Sequence, residues 1–65
     1  MEDFKKRLIS EKDELNEKIV KLNQFINSEN FNKIDKVQQS LLKTQLFVMR
    51  TYHSILEERI HHLGL

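Results

Sequence analysis

Sixty-five residues allow one small domain, and a chain this short buries only about 60% of the surface its unfolded form exposes. With no cysteine, disulfides, thiolate metal sites and cysteine nucleophiles are excluded; with no proline and glycine only at Gly64, phosphate-cradling loops and tight hairpin turns are excluded too. Eleven Lys and Arg against ten Asp and Glu leave a net charge of +1, which argues against nucleic acid as a partner, and the longest apolar run, Leu46–Met49, is too short for a membrane span or signal peptide. The expectation is an all-α, cytoplasmic protein that assembles.

The first predicted element is a helix over residues 3–27. Leu8, Leu15 and Leu22 recur every seven residues, and Ile19 and Ile26 do so on an adjacent line, with Lys12 at the preceding position of the isoleucine line. That is a coiled-coil seam carrying one polar residue. Asp3–Arg7, Glu14–Lys18 and Glu17–Lys21 set an acid four residues before a base, the orientation that supports a helix surface.

Residues 28–35 read as a loop. Asparagine and serine side chains at Asn27, Ser28, Asn30 and Asn32 compete for nearby backbone groups, and Phe31 or Ile34 is expected to fold back and close the hairpin end. Asp35 followed by Gln38 has the form of a capping box, which starts the second helix near residue 36.

The second helix, over residues 36–62, is apolar across a wider arc. Leu42, Met49, Leu56 and Leu63 form one seven-residue line, Leu41, Val48 and Ile55 a second, and Leu46 and Ile60 flank the first. These positions sweep about half the circumference, more than the ~100° stripe one neighbour requires. One flank is assigned to the hairpin mate and the other to a further chain, so two antiparallel helices are expected to assemble into a helical-bundle oligomer, a dimer or higher. Gly64 stops the helix, and His61 and His62 sit at its negative end.

Within that arc runs a polar line, Gln45, Tyr52 and Arg59, spaced by seven. An amide, a phenol and a guanidinium suit a nucleotide base and phosphate; they equally suit the rim of a helix interface. Lys43 and Arg50 form another seven-spaced pair, and Lys5, Lys6 and Arg7 a basic cluster, suited either to phosphate or to a solvated face. Phe47 lies outside the arc among Thr44, Thr51 and Glu58, where it serves as an assembly contact or a partner anchor. His53, Glu57 and His61 share a helix face but lack a fourth ligand, so no metal is expected. No cofactor is expected, and without an oxyanion loop or nucleophile turn the chain reads as a non-enzyme.

Arg7–Ile26 and Leu41–Ile60 together, the latter with Leu42, Gln45, Met49, Tyr52, Leu56, Arg59 and Ile60 in their present spacing, resemble a family of small phage and prophage helical hairpins first noted in crAss-like phages. The resemblance implies a viral origin and a host-facing role. Phage hairpins of this size and architecture include sponges for cyclic nucleotide immune signals, among them anti-CBASS and anti-Thoeris proteins. It carries no catalytic residue over. Two functions are therefore expected. One is sequestration of a small anionic nucleotide between subunits, with Tyr52 stacking on a base, Arg59 or Lys43 and Arg50 meeting phosphate, and Gln45 reading a polar edge. The other is a protein-interaction module that engages a host or viral protein through Phe47.

Overall fold

A computed structural model describes residues 2–64. Helix α1 spans Glu2–Ile26, a 3-10 turn spans Glu29–Lys33, and helix α2 spans Lys36–His61; no strand occurs among the described residues. Neither helix is long and apolar enough to cross a membrane.

The turn is held by its polar residues. Ser28 donates its hydroxyl to the Phe25 carbonyl at 2.6 Å, and the Asn27 side-chain amide donates to the Asn23 carbonyl at 2.9 Å, which draws the chain off the helix path. Phe31 then folds under the hairpin end, 4% exposed, with its ring edge-on to Phe25 at 6.0 Å. Ile34 is half-buried beside it. The Lys43 ammonium lies 5.7 Å from the centre of the Phe31 ring, within cation–π range. Asp35 caps α2, its carboxylate accepting from the Gln38 backbone N–H at 2.9 Å. At the far end Gly64 takes φ +82°, a conformation open to glycine, and its N–H donates to the His61 carbonyl at 3.2 Å.

Between these ends the two helices share one seam. Leu8 and Ile19 of α1 and Leu46 and Leu56 of α2 are buried, Leu56 completely. Leu15, Leu22, Ile26, Leu42, Met49, Ile60 and Leu63 are half-buried along its borders. Lys12 leaves 29% of its side chain exposed, so its stem follows the seam while its ammonium pairs with Asp13 at 3.8 Å. The expected surface pairs Asp3–Arg7, Glu14–Lys18 and Glu17–Lys21 do not close into ion pairs; Arg7 Nε instead donates to the Asp3 carbonyl at 3.4 Å. Ordering two long side chains in water offsets the small Coulomb gain of such pairs.

The hairpin measures 46 × 14 × 13 Å, with a radius of gyration of 14.8 Å against about 11 Å for a compact domain of this length. The second apolar line of α2 faces outward: Leu41 and Val48 are each 57% exposed, Ile55 51% and Val37 67%. Leu56→Ala should lower stability by about 2–5 kcal/mol, the range for emptying a filled core site, and Asp35→Ala by about 1 kcal/mol. Urea denaturation followed by circular dichroism at fixed protein concentration measures both.

Candidate functional site

Antiparallel helices joined at one end bring together residues that lie at similar chain distances from the turn. Counting outward from Phe31, Tyr52 falls opposite the middle of α1 and Arg59 opposite its start. The Tyr52 hydroxyl accordingly donates to a Glu11 carboxylate oxygen. Beyond it, Phe4, Arg7, Leu8 and Glu11 of α1 and Arg59 of α2 line a depression of about 350 Å³ at the open end of the hairpin. Leu8 forms its buried floor, while the Phe4 ring and the Tyr52 ring are each 41% exposed.

The chemistry of this end is mixed in a useful way. Two guanidiniums, Arg7 and Arg59, can each present paired N–H donors to phosphate or carboxylate oxygens. Phe4 and Tyr52 supply aromatic faces at its edge, on which a planar base can stack. Glu11 accepts hydrogen bonds, as from a sugar hydroxyl or a base N–H, and its bond to Tyr52 fixes the phenol while leaving the ring face available.

A second depression, about 450 Å³, lies on the outward face of α2 and is lined by Thr51, Ser54, Ile55, Glu58, Arg59 and His62. Arg59 borders both hollows. Of the polar line read from the sequence, Gln45, Tyr52 and Arg59 stay on one flank of α2, and all three are exposed. Gln45 makes only a weak contact to the Met49 sulfur at 3.9 Å.

Lys43 and Arg50 are not brought to them. At ~100° per residue they project from α2 roughly opposite Tyr52 and Arg59. Lys43 sits over Phe31 at the closed end, and Arg50 donates to the Asn23 side-chain oxygen at 3.4 Å. Within one protomer a ligand at Tyr52 can therefore meet Arg59 and Arg7, but not Lys43 or Arg50. Periodicity along one helix does not join Phe4, Arg7 and Glu11 to Tyr52 and Arg59; pairing positions by their distance from Phe31 is the signal that finds them.

Phe47 projects away from the seam with 72% of its surface exposed. The histidines form local pairs: His53 Nδ1 lies 3.5 Å from Glu57, and His62 Nε2 lies 3.4 Å from Glu58. His61 packs edge-on against the His62 ring at 5.4 Å, and no cluster of three metal-binding side chains forms among the described residues.

The Tyr52–Glu11 bond joins the two helices away from the turn. Tyr52→Phe should cost about 0.5–1.5 kcal/mol of stability, and that cost should shrink in a Glu11→Ala background, where the acceptor is already gone. A double-mutant cycle by urea denaturation reads the coupling directly.

A family model described as Sequestin matches residues 2–62. No curated protein and no solved structure matches the chain.

Proposed function

The chain belongs to the Sequestin family, and from that membership we propose that it is a non-enzymatic binding protein that sequesters a nucleotide immune signal, of the cyclic oligonucleotide or cyclic ADP-ribose type, as a phage or prophage counter-defence. The family name itself speaks of holding something back rather than converting it. One observation carries the choice of ligand: Arg59 and Arg7 line a hollow with Phe4, and the Tyr52 ring lies beside it, so cationic forks and aromatic faces meet at one edge of α2. A nucleotide offers the complement, with phosphate oxygens for the guanidiniums and a flat base for a ring.

On a single hairpin this hollow is shallow and wet, and charge-assisted hydrogen bonds are weak where water competes. A further chain against the outward face of α2 would exclude water from the Arg59 side and strengthen those bonds. Sequestration also asks nothing more of the protein than affinity and abundance. No bond in the ligand has to break, so a rigid hairpin without a nucleophile is sufficient.

Phe47 supports a second reading. A phenylalanine 72% exposed on a helix is a ready anchor for a groove on a host or viral protein. In that case a host-lysate pulldown returns one dominant protein, and Phe47→Ala abolishes its capture while leaving the hairpin's own assembly intact.

Isothermal calorimetry against a panel of cyclic di- and trinucleotides and cyclic ADP-ribose isomers decides between them. Sequestration predicts saturable heat with at least one member, recovery of the ligand unchanged on denaturing the protein, and a loss of about ten- to a hundredfold in affinity for Arg59→Ala. Absence of heat with every member of the panel overturns the reading.

A further inference from the structure

We propose that Glu11 sets the specificity of the hollow at the open end of the hairpin. Its carboxylate turns away nucleotides that carry a terminal phosphate and admits those whose phosphates each bear a single charge. The inference rests on the sequestering function proposed above and adds the class of nucleotide that the hollow rejects.

Of the residues that line this hollow, Arg7 and Arg59 bring two positive charges and Glu11 one negative charge. A carboxylate in an anion site weakens the attraction for every phosphate, so its presence asks for a physical reason. Neutralising an arginine is not that reason. Among the described residues no ion pair joins Glu11 to Arg7 or Arg59. Arg7 and Glu11 stand four apart with the base first, the poorer order for pairing along a helix. Glu11 is held instead by the Tyr52 hydroxyl, which donates to its Oε2 from the opposite helix. That bond keeps the carboxylate at the hollow and leaves Oε1 to accept from a ligand. Arg7 donates its Nε to the Asp3 carbonyl at 3.4 Å, so its two terminal nitrogens remain for phosphate oxygens.

The charges then sort nucleotides by the kind of phosphate they carry. A phosphate bridged on both sides bears one negative charge, and two of these match the two guanidiniums one to one. A terminal phosphate bears about −1.5 to −2 at neutral pH, and a triphosphate tail adds more along its length. Seated on Arg7 or Arg59, such a tail also meets Glu11, and like charges at close range disfavour that ligand. Hydrogen bonding points the same way. Glu11 accepts from a base N–H or a ribose hydroxyl, whereas a polyphosphate tail offers it no donor.

Selectivity of this kind matters to a protein that only binds, because no chemical step follows to tell one ligand from another. Nucleoside triphosphates are abundant in any cell, and a hollow open to them would be filled before a scarce signal arrived. Arg7, Glu11 and Arg59 are all exposed, so solvent screens their fields and the discrimination is severalfold.

The test removes the charge of Glu11 and keeps its shape. Unmodified protein, Glu11→Gln, Glu11→Gln with Arg59→Ala, and Glu29→Gln are titrated with ATP and with inorganic tripolyphosphate by calorimetry, after circular dichroism confirms that each is helical. Glu29 lies in the 3-10 turn at the other end of the 46 Å hairpin, so Glu29→Gln makes the same change in net charge far from the hollow. Glu11→Gln should bind both probes about three- to tenfold more tightly than the unmodified protein at low ionic strength, with the gain shrinking as salt is added. The gain should disappear when Arg59→Ala is added, and Glu29→Gln should show none. Glu11→Gln binding neither probe more tightly overturns the proposal, as does an equal gain in Glu29→Gln or a gain that survives Arg59→Ala. Calorimetry of the unmodified protein with cyclic dinucleotides and cyclic ADP-ribose keeps the two levels apart. Heat with a cyclic ligand but no gain in Glu11→Gln refutes the role of Glu11 and spares sequestration. The gain without heat from any cyclic ligand refutes sequestration and leaves Glu11 as the group that keeps polyphosphates out.

Discussion

The constraint on which this protein depends is that α2 is apolar over more of its circumference than one antiparallel neighbour can cover. Helix α1 takes the flank of Leu46 and Leu56, with Leu42, Met49 and Ile60 at its borders, and Val37, Leu41, Val48 and Ile55 are left more than half exposed. Only Leu8, Ile19, Phe31, Leu46 and Leu56 are buried hydrophobics among the described residues, and Leu56 alone is sealed from solvent. Each such side chain contributes about 1.5–3 kcal/mol when fully buried, against chain entropy of roughly 1.5 kcal/mol for every residue ordered. A hairpin of this size would gain a great deal from covering its remaining stripe, and such a cover would shelter an edge where charged groups bind more tightly. Under the proposed function, assembly and ligand recognition are two consequences of one surface.

Arg59 is where those consequences meet. Its guanidinium borders the hollow at the open end of the hairpin and also the hollow on the outward face of α2. From the first it joins Arg7, Glu11 and Phe4; through the second it faces whatever covers Ile55. The Tyr52–Glu11 bond ties this end of α1 to α2, so the position of Arg7 relative to Arg59 is linked to the closure of the helices. Lys43 and Arg50 work elsewhere, steadying the closed end over Phe31 and the seam at Asn23.

Much of the fold was legible because it is encoded locally. The seven-residue lines of Leu8, Leu15 and Leu22 and of Leu42, Met49 and Leu56 mark the seam, and Asp35 with Gln38 marks the start of α2 by a hydrogen bond that spans three residues. The division of α2 into an inward and an outward line follows from the same periodicity. The site was less legible because it is made across helices. Heptad spacing places Tyr52 and Arg59 on one line but says nothing of Glu11, Arg7 or Phe4, whose proximity depends on where the turn pivots. The same spacing does put Lys43 and Arg50 on the far side of the helix, half a turn from Tyr52 and Arg59. Phe31 sets the pivot by burying its ring, and only then does the pairing of the two helices follow. The surface pairs Glu14–Lys18 and Glu17–Lys21 illustrate the opposite limit, where favourable spacing is present but solvent leaves no reason for the side chains to meet.

Whether the outward stripe of α2 is covered in the working protein is read most directly from the mass of the particle in solution. Size-exclusion chromatography with light scattering should return an integral multiple, two or more, of the 7.9 kDa chain, held down to low micromolar concentration. A helical species of 7.9 kDa that persists at high concentration would contradict it, because Leu41, Val48 and Ile55 would then face water in the functional state.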